Sequence, residues 1–261
     1  MGTDLHHEET GGGADTVLLL HGGTLDLRMW DEQVPFLAPR RRVIRFDARG
    51  HGRSPTGTEP FRQCDDVAAL LGALGVRRAH LVGLSMGGSA AIDTALEYPE
   101  LVRSLVVMGS GTGTPTFEDP WMLDVMRRMA AAQERADVAD WVEEFLLMGV
   151  VGPYRGPAEV DRAVLDRCRE MATDTVRNHA HPGAVPPSWV DGAWDRLREI
   201  RVPALAFYGT LDAPDHLAMV ERVSEGIRGC RLLPVEGAAH MPNMERPLDV
   251  NTALAAFLDD R

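Results

Sequence analysis

The chain has 261 residues, of which 44% are hydrophobic, carries a formal net charge of −12, and uses arginine for all 27 of its basic residues. The negative charge repels phosphate backbones and anionic lipid, so no nucleic-acid or membrane partner is expected, and the absence of lysine from the sequence excludes Schiff-base catalysis and the Walker phosphate loop. The 3 cysteines are widely spaced and no stretch resembles a signal peptide or a bilayer-spanning helix, which favours a cytoplasmic protein with reduced thiols.

Short β-rich and helical segments alternate along most of the chain. Strands are predicted at residues 43–47, 81–84, 104–109, 204–209 and 232–235, and helices at residues 61–74, 86–98, 215–225 and 247–258. Such alternation predicts an α/β fold, in which a mostly parallel, twisted sheet is flanked by helices and carries its functional residues at the carboxyl ends of the strands. Near the start, the glycine run at 11–13 is interpreted as a hairpin turn.

The alternation stops after Gly111. Residues 113–197 show no strand pattern; they contain four segments with apolar residues at helical spacing, separated by Gly and Pro. We expect a helical lid here, inserted between two parts of the core, residues 1–112 and 198–261. Stripes of this kind usually pack a lid onto its core, yet the density of Met and Trp also suits a pocket for an irregular apolar substrate. The residues predicted to line that pocket are Trp121, Trp141, Phe145 and Met148 from the lid, and Leu25 and Met241 from the core.

Residues 83–88 read Gly-Leu-Ser-Met-Gly-Gly and lie between a β-rich and a helical segment. A serine at such a junction is typical of a nucleophile elbow, where Gly83 and Gly87 let neighbouring segments pass closely and Ser85 is exposed above the strand end. The helix that follows presents free backbone N–H groups and its positive dipole end to an oxyanion. Ser85 is therefore the candidate nucleophile.

A serine nucleophile needs a base, and the base needs an acid that fixes its tautomer. Asp212 follows the predicted strand at 204–209, and His240 follows the one at 232–235. Taken alone, His240 is more simply a loop histidine and Asp212 a helix cap, but the order serine, aspartate, histidine at strand ends favours a catalytic triad. Asp212 is preferred over Asp215, which is better placed to begin a helix, and over Asp93, which lies on the elbow helix.

The chain resembles the α/β-hydrolase superfamily over nearly its whole length. Residues 21–24, His-Gly-Gly-Thr, look like its oxyanion loop, residues 47–54 like its structural turn, and residues 240–247 like the segment around its catalytic histidine. Within the superfamily, residues 83–88 together with 24–31 look most like the 3-oxoadipate enol-lactonase and cofactor-free haloperoxidase branch. The resemblance implies that the backbone N–H groups of Met86 and of Gly23 or Thr24 hold the oxyanion.

We expect a serine hydrolase that cleaves an ester or lactone of a small to medium, partly apolar carboxylic acid. It needs no cofactor and no metal, its partner is the small-molecule substrate, and the chain is a monomer or a homodimer. One alternative is cleavage of carbon–carbon bonds of diketones or a biosynthetic step by the same triad, although residues 21–24 lack the Gly-Pro-Gly continuation of the carbon–carbon hydrolases. The other is a non-hydrolytic small-molecule binding protein on this fold.

Overall fold

The computed structural model describes residues 4–260; residues 1–3 and 261, which the predicted core includes, lie outside the described range. A seven-stranded sheet in the order β1-β3-β2-β4-β5-β6-β7 forms its centre, and only β1 is antiparallel to its neighbour. The strands are β1 (His7–Thr10), β2 (Thr16–Leu20), β3 (Arg42–Phe46), β4 (Ala79–Leu84), β5 (Val102–Met108), β6 (Ala204–Gly209) and β7 (Arg231–Val235).

The predicted α/β class and its mostly parallel sheet are confirmed, but the hairpin expected at residues 11–13 is wrong. The strand β1 was not predicted, and it pairs with β3 rather than with β2, which directly follows the glycine run. It has the polar sequence His-Glu-Glu-Thr of an edge strand, and it gains ion pairs across the ladder, from Arg45 to Glu8 and from Arg42 to Glu9, both at 2.7 Å. These long-range pairs leave no local signal in the sequence.

Helices cover both faces of the sheet. The α-helices are α1 (Val34–Leu37), α2 (Gln63–Ala73), α3 (Met86–Glu97), α4 (Pro120–Glu134), α5 (Val138–Leu146), α6 (Arg162–His179), α7 (Ala193–Arg196), α8 (Pro214–Gly226), α9 (Pro242–Glu245) and α10 (Pro247–Asp259). Short 3-10 turns occupy Leu27–Trp30, Pro99–Leu101, Pro157–Glu159 and Leu197–Glu199, and a π-helical turn, Leu147–Val151, extends α5. Within residues 4–260, none of the helices is both long and apolar enough to cross a membrane.

Alternate residues of β2 show how the two layers are built. Leu18 and Leu20 pack into one apolar cluster with α2, α3 and α8, whereas Val17 and Leu19 pack into a second cluster with α10. Side chains on a strand point alternately to opposite faces, so a strand that is apolar throughout is covered on both sides. The insertion between β5 and β6 contains α4 to α7, and α5 and α6 join the second cluster. This packing holds the carboxyl edge of the sheet beneath the inserted helices.

Candidate functional site

The carboxyl ends of β4 to β7 bring the predicted catalytic residues to one edge of the sheet. Ser85 directly follows β4 and Gly109 directly follows β5, while Asp212 and His240 lie in the loops after β6 and β7. Because these four strands are neighbours and parallel, their following residues meet above the sheet. The two other carboxylates that were considered lie elsewhere: Asp93 accepts hydrogen bonds from Thr112 and Val190, and Asp215 accepts them from the backbone N–H groups of residues 118 and 119.

The turn at Ser85 has the strained backbone expected of a nucleophile elbow. Ser85 has φ 50° and ψ −116°, a conformation that residues with a Cβ rarely adopt. A Cβ on Gly83 would lie 2.3 Å from the carbonyl oxygen of Gly87, and one on Gly87 would lie 2.2 Å from that of Leu20. The backbone N–H of Ser85 donates to Met108 O at 2.9 Å, which fixes the turn to the next strand. Only glycine allows this crossing of strand and helix.

Two backbone N–H groups beside Ser85 are free to bind an oxyanion. Met86 is the first residue of α3, where an N–H has no partner within the helix. Gly23 lies against it, since a Cβ on Gly23 would be 3.6 Å from Met86 Cβ. The N–H of Gly23 donates no hydrogen bond within residues 4–260. The N–H of Thr24 instead donates to His51 Nε2 at 3.1 Å. Of the two candidates for the second donor, the geometry therefore favours Gly23.

The buried His21 and the half-buried His51 hold the loop that carries Gly23. His51 accepts from Thr24 N–H through Nε2, and its Nδ1 lies 2.9 Å from the carbonyl oxygen of Arg49. His21 accepts from Ala48 N–H through Nε2 at 2.9 Å. Burial lowers the pKa of His51 to about 3, with a further contribution from His21, and burial also lowers the pKa of His21. Both rings therefore stay neutral and keep an acceptor nitrogen for these N–H groups.

Asp212 binds two histidines, of which only His240 was predicted. His240 Nδ1 lies 2.7 Å from Asp212 Oδ2, and His216 Nδ1 lies 2.8 Å from Asp212 Oδ1. The two imidazole rings are stacked, with centroids 3.9 Å apart and planes inclined by 24°. All three side chains are buried. His216 lies four residues after Asp212, a spacing that could have suggested the contact, but other pairs at this spacing are common in the sequence.

The pKa values of this group are set by burial and by mutual charge. Burial alone would raise the pKa of Asp212, but His240 and His216 outweigh it and hold the pKa below its ordinary range. Burial lowers the pKa of His240, and the Asp212 carboxylate offsets this only in part. An ionised carboxylate can only accept, so both rings carry their proton on Nδ1. In the neutral ring, Nε2 of His240 is then free to act as a base, although it forms no hydrogen bond with Ser85 Oγ in this structure.

A glycine after β5 makes room for the imidazole. Gly109 has φ +53°, and a Cβ added to it would lie 2.8 Å from His240 Nδ1 and 3.4 Å from Asp212 Oδ2. A positive φ and this close approach both require glycine. Gly109 also lines the same cavity as Ser85, so Gly109 has His240 on one side and the cavity of Ser85 on the other. The sequence showed Gly109 only as the end of a strand, and its role depends on a contact with a residue distant in sequence.

Two cavities adjoin the site. A cavity of about 140 Å³ is lined by Ser85, His216 and the apolar side chains Phe117, Trp189 and Met219, none of which was among the predicted lining residues. A larger cleft of about 850 Å³ lies under the insertion and is lined by Thr24, Trp141 and residues at the end of α6.

The other predicted lining residues line neither cavity. Phe145 is buried and stacks on Trp141, with ring centroids 5.9 Å apart, and Trp121 and Met148 are half-buried. On the core side, Leu25 and Met241 belong to the second apolar cluster, with exposed fractions of 0% and 1%. Helical spacing identified apolar residues of the insertion but could not separate those that pack from those that line a cavity.

A buried ion pair joins the insertion to the loop that carries His240. Arg155 pairs with Glu245, and it also donates to the carbonyl oxygens of Val150 and Gly237. Glu245 Oε1 accepts from the N–H of Ala239 at 2.8 Å. Burial raises the pKa of Glu245, and Arg155 counteracts that effect. The position of His240 thus depends on a cation from the insertion.

One cluster in the described chain could bring three metal-ligating side chains together, and it consists of Asp212, His216 and His240, with ligand atoms within 4.8 Å of one another. Each carboxylate oxygen already accepts a hydrogen bond from a ring Nδ1. The carboxylate of Asp212 and the Nδ1 atoms of both histidines are therefore already paired with one another. His179, at the end of α6, lies 2.7 Å from Thr56 Oγ1 through Nδ1 and 3.0 Å from the carbonyl oxygen of Gly52 through Nε2.

Known proteins resemble the chain along nearly all of its length. A 2-hydroxy-6-oxononadienedioate/2-hydroxy-6-oxononatrienedioate hydrolase of Paraburkholderia phymatum is 30% identical over 267 residues, covering 98% of this chain and 92% of that protein. A pimeloyl-[acyl-carrier protein] methyl ester esterase of Aeromonas hydrophila is 29% identical, covering 92% and 93%. The crystal structure of the enol-lactonase from Burkholderia xenovorans superposes with a TM-score of 0.80 at 25% identity, covering 98% and 96%. Residues 15–247 match the model of the alpha/beta hydrolase fold family. The chain is therefore a member of the α/β-hydrolase fold family and an enzyme of that class.

Proposed function

We propose that the protein is a serine hydrolase that cleaves a carboxylic ester or lactone of a small to medium, partly apolar substrate through an acyl-enzyme intermediate. The observation that carries the proposal is the 2.7 Å contact between Asp212 and His240, at the same sheet edge as Ser85 on its strained elbow. The similarity to an esterase and an enol-lactonase supports this reaction class.

In the first half of the reaction, Ser85 Oγ attacks the carbonyl carbon while His240 Nε2 takes the hydroxyl proton. Asp212 keeps the other ring proton on Nδ1 and stabilises the imidazolium ion that forms. His240 then gives its proton to the departing alkoxide, and the acyl group remains on Ser85. In the second half, a water molecule attacks the acyl carbon while His240 takes its proton. The bond between Ser85 Oγ and the acyl carbon then breaks, the acid leaves, and His240 returns the proton to Ser85. Hydrogen bonds of such sites often tighten only when substrate is bound, so Ser85 and His240 need not be bonded beforehand.

The negative oxygen of each tetrahedral intermediate is held by the N–H groups of Met86 and Gly23. Each such donor typically contributes about 3–4 kcal/mol to lowering the barrier. Thr24 supports the loop through His51 rather than binding the oxyanion. The α3 helix adds the positive end of its dipole.

The two cavities supply the substrate-binding surfaces in this proposal. The acid part of the substrate occupies the 140 Å³ cavity beside Ser85 and His216, a volume that corresponds to about four or five water molecules. The alcohol part extends toward the larger cleft, which is lined by Thr24 and Trp141. Leu25, Phe145 and Met241 pack behind these surfaces and support them. The insertion serves as a lid that governs substrate selection.

Labelling and turnover test the proposal together. A fluorophosphonate should label Ser85, and Ser85→Ala should lower the hydrolysis of a panel of acyl esters and lactones by several orders of magnitude. Ser224→Ala is the matched control, since the hydroxyl of Ser224 donates only to a carbonyl oxygen of its own helix, and this variant should keep both labelling and turnover. Turnover that survives in Ser85→Ala would remove the serine from the mechanism.

Carbon–carbon bond hydrolysis by the same residues is the second candidate, because the Paraburkholderia phymatum relative is 30% identical and carries a name of that type. The two candidates differ in the bond that Ser85 and His240 act on. Purified enzyme should be offered p-nitrophenyl butyrate and a 2-hydroxy-6-oxo-dienoate in parallel, and kcat/KM compared. A value for the dienoate that exceeds every ester and lactone of the panel would favour the second candidate.

A further inference from the structure

His216 is a second histidine on the acid of the proposed triad, and the mechanism above does not use it. Its Nδ1 donates to Asp212 Oδ1 at 2.8 Å, its ring stacks on His240, and Phe117 contacts it edge-on with ring centroids 5.9 Å apart. Only 7% of the residue is exposed. Even so, His216 lines the 140 Å³ cavity together with Ser85.

The hydrogen bond to Asp212 decides what His216 can offer to a molecule in that cavity. Since the ionised carboxylate accepts only, the proton of the neutral imidazole lies on Nδ1 and Nε2 carries a lone pair. Within residues 4–260 Nε2 has no hydrogen-bond partner, so it is the one polar atom of the ring left for a ligand. Nε2 is not one of the fully enclosed side-chain atoms that lack a partner, so a hydroxyl donor on a molecule in the cavity can reach it.

Among the side chains around the cavity, this nitrogen is the strongest hydrogen-bond acceptor. The side chains of Phe117 and Trp189 have no acceptor atom, and the thioether sulfur of Met219 is only a weak acceptor. The hydroxyl of Ser89 donates its proton to the carbonyl oxygen of Gly111 at 2.9 Å, and the lone pairs left on its oxygen are weaker acceptors than a neutral imidazole nitrogen. A hydroxyl group on the acid part of the substrate would find its best acceptor at His216 Nε2.

We infer that His216 is a specificity-determining residue, whose Nε2 accepts a hydrogen bond from a hydroxyl group on the acid part of the substrate. The preferred substrates are then esters or lactones of short hydroxy acids. The inference rests on the proposed function, because it assigns the cavity beside Ser85 to the acid part. It goes further in naming a substrate class and the atom that recognises it.

The experiment compares two esters that differ by one hydroxyl group. Values of kcat/KM are measured for racemic p-nitrophenyl 3-hydroxybutyrate and for p-nitrophenyl butyrate at pH 8. The ratio of the two values is compared between the wild type and each variant, so that the different intrinsic reactivities of the esters cancel. The loss of one hydrogen bond should lower this ratio by about 5- to 30-fold.

Three substitutions separate recognition from support of Asp212. His216→Asn keeps an amide N–H close to the position of Nδ1, and so a donor to Asp212, but has no atom at the position of Nε2. His216→Gln has an amide oxygen near that position and should keep part of the preference. Met219→Leu is the control, because it reshapes an apolar wall of the same cavity and should change both esters alike.

A ratio that falls in His216→Asn, stays partly in His216→Gln and does not move in Met219→Leu supports the inference. A ratio that is the same in the wild type and in His216→Asn overturns it, even if both esters are turned over more slowly, because His216 would then act only through Asp212. In that case Ser85-dependent hydrolysis, and with it the proposed function, still stands. If the wild type hydrolyses neither ester nor any member of the wider panel, the proposed function and this inference fail together.

Discussion

Gly109 and His240 are in contact although 130 residues separate them: a Cβ on the glycine would lie 2.8 Å from Nδ1 of the imidazole. Because Gly109 has no side chain, the imidazole ring can lie against the end of β5, beside Asp212. Since β5 is a central strand that pairs with both β4 and β6, its backbone cannot easily move away. A methyl group at residue 109 therefore has to displace the imidazole.

Gly109→Ala should lower kcat/KM for p-nitrophenyl butyrate by about 100-fold or more, the usual cost of a misplacement of about 1 Å. The φ of +53° adds backbone strain. Gly72→Ala is the control, because Gly72 lies in α2 with no heavy atom within 4 Å of an added Cβ, and alanine there should stabilise the helix by about 0.5–1 kcal/mol without affecting turnover. Full activity in Gly109→Ala would show that His240 is not held by this contact.

The Arg155–Glu245 pair should couple stability to catalysis. Both side chains are buried, and removing one partner of a buried pair leaves an uncompensated charge at a cost of about 3–5 kcal/mol. We expect Arg155→Met to lose about that much in urea unfolding and to lower kcat, since Glu245 also holds Ala239 beside His240. The double variant Arg155→Met with Glu245→Gln should lose less than the sum of the two single losses. Simple additivity of the two losses would contradict the coupling.

The activity should persist to unusually low pH. Proton transfer from Ser85 requires neutral His240, and burial lowers the pKa of His240 below its ordinary value of 6.5. The acid limb of kcat/KM against pH should therefore have its midpoint below 6.5. Electrostatic interaction with His216 contributes to lowering the pKa of His240, so His216→Asn should move the limb to higher pH. A limb that stays in place after this substitution would mean that the two rings do not influence each other.

Much of the fold and of the candidate site could be predicted because the signals are local. Apolar runs mark the buried strands, and Ser85, Asp212 and His240 lie next to strand ends that the sequence reveals. What could not be predicted depends on residues distant in sequence: the pairing of β1 with β3, the partner of Thr24 N–H, and the cavity walls. Met126 lies at the helical spacing of the apolar residues in the insertion, yet 38% of it is exposed, because periodicity does not reveal which turn of a helix reaches the core.

Asp93 should make stability depend on pH independently of the site chemistry. The carboxylate is buried on α3, where it accepts from Thr112 Oγ1 at 2.9 Å and from Val190 N–H at 3.1 Å. Burial raises its pKa from 3.8 to about 6. A carboxyl whose folded pKa is raised favours folding while it is protonated. Its contribution to the free energy of unfolding is complete at a pH below the pKa of the unfolded state. That contribution is lost as the pH rises through the pKa of the folded state.

The free energy of unfolding should therefore fall as the pH rises from about 4 to about 6, by up to about 3 kcal/mol from this group, and then level off. Asp93→Asn does not titrate, and its amide can still accept from Val190 N–H through its oxygen and donate to Thr112 Oγ1 through its nitrogen. Relative to the wild type, the variant should gain up to about 3 kcal/mol between pH 4 and pH 8 in urea unfolding. Asp260→Asn, on an exposed residue at the end of α10, is the control and should show a far smaller trend. A constant difference between Asp93→Asn and the wild type across this range would mean that Asp93 is ionised at its ordinary pKa despite its burial.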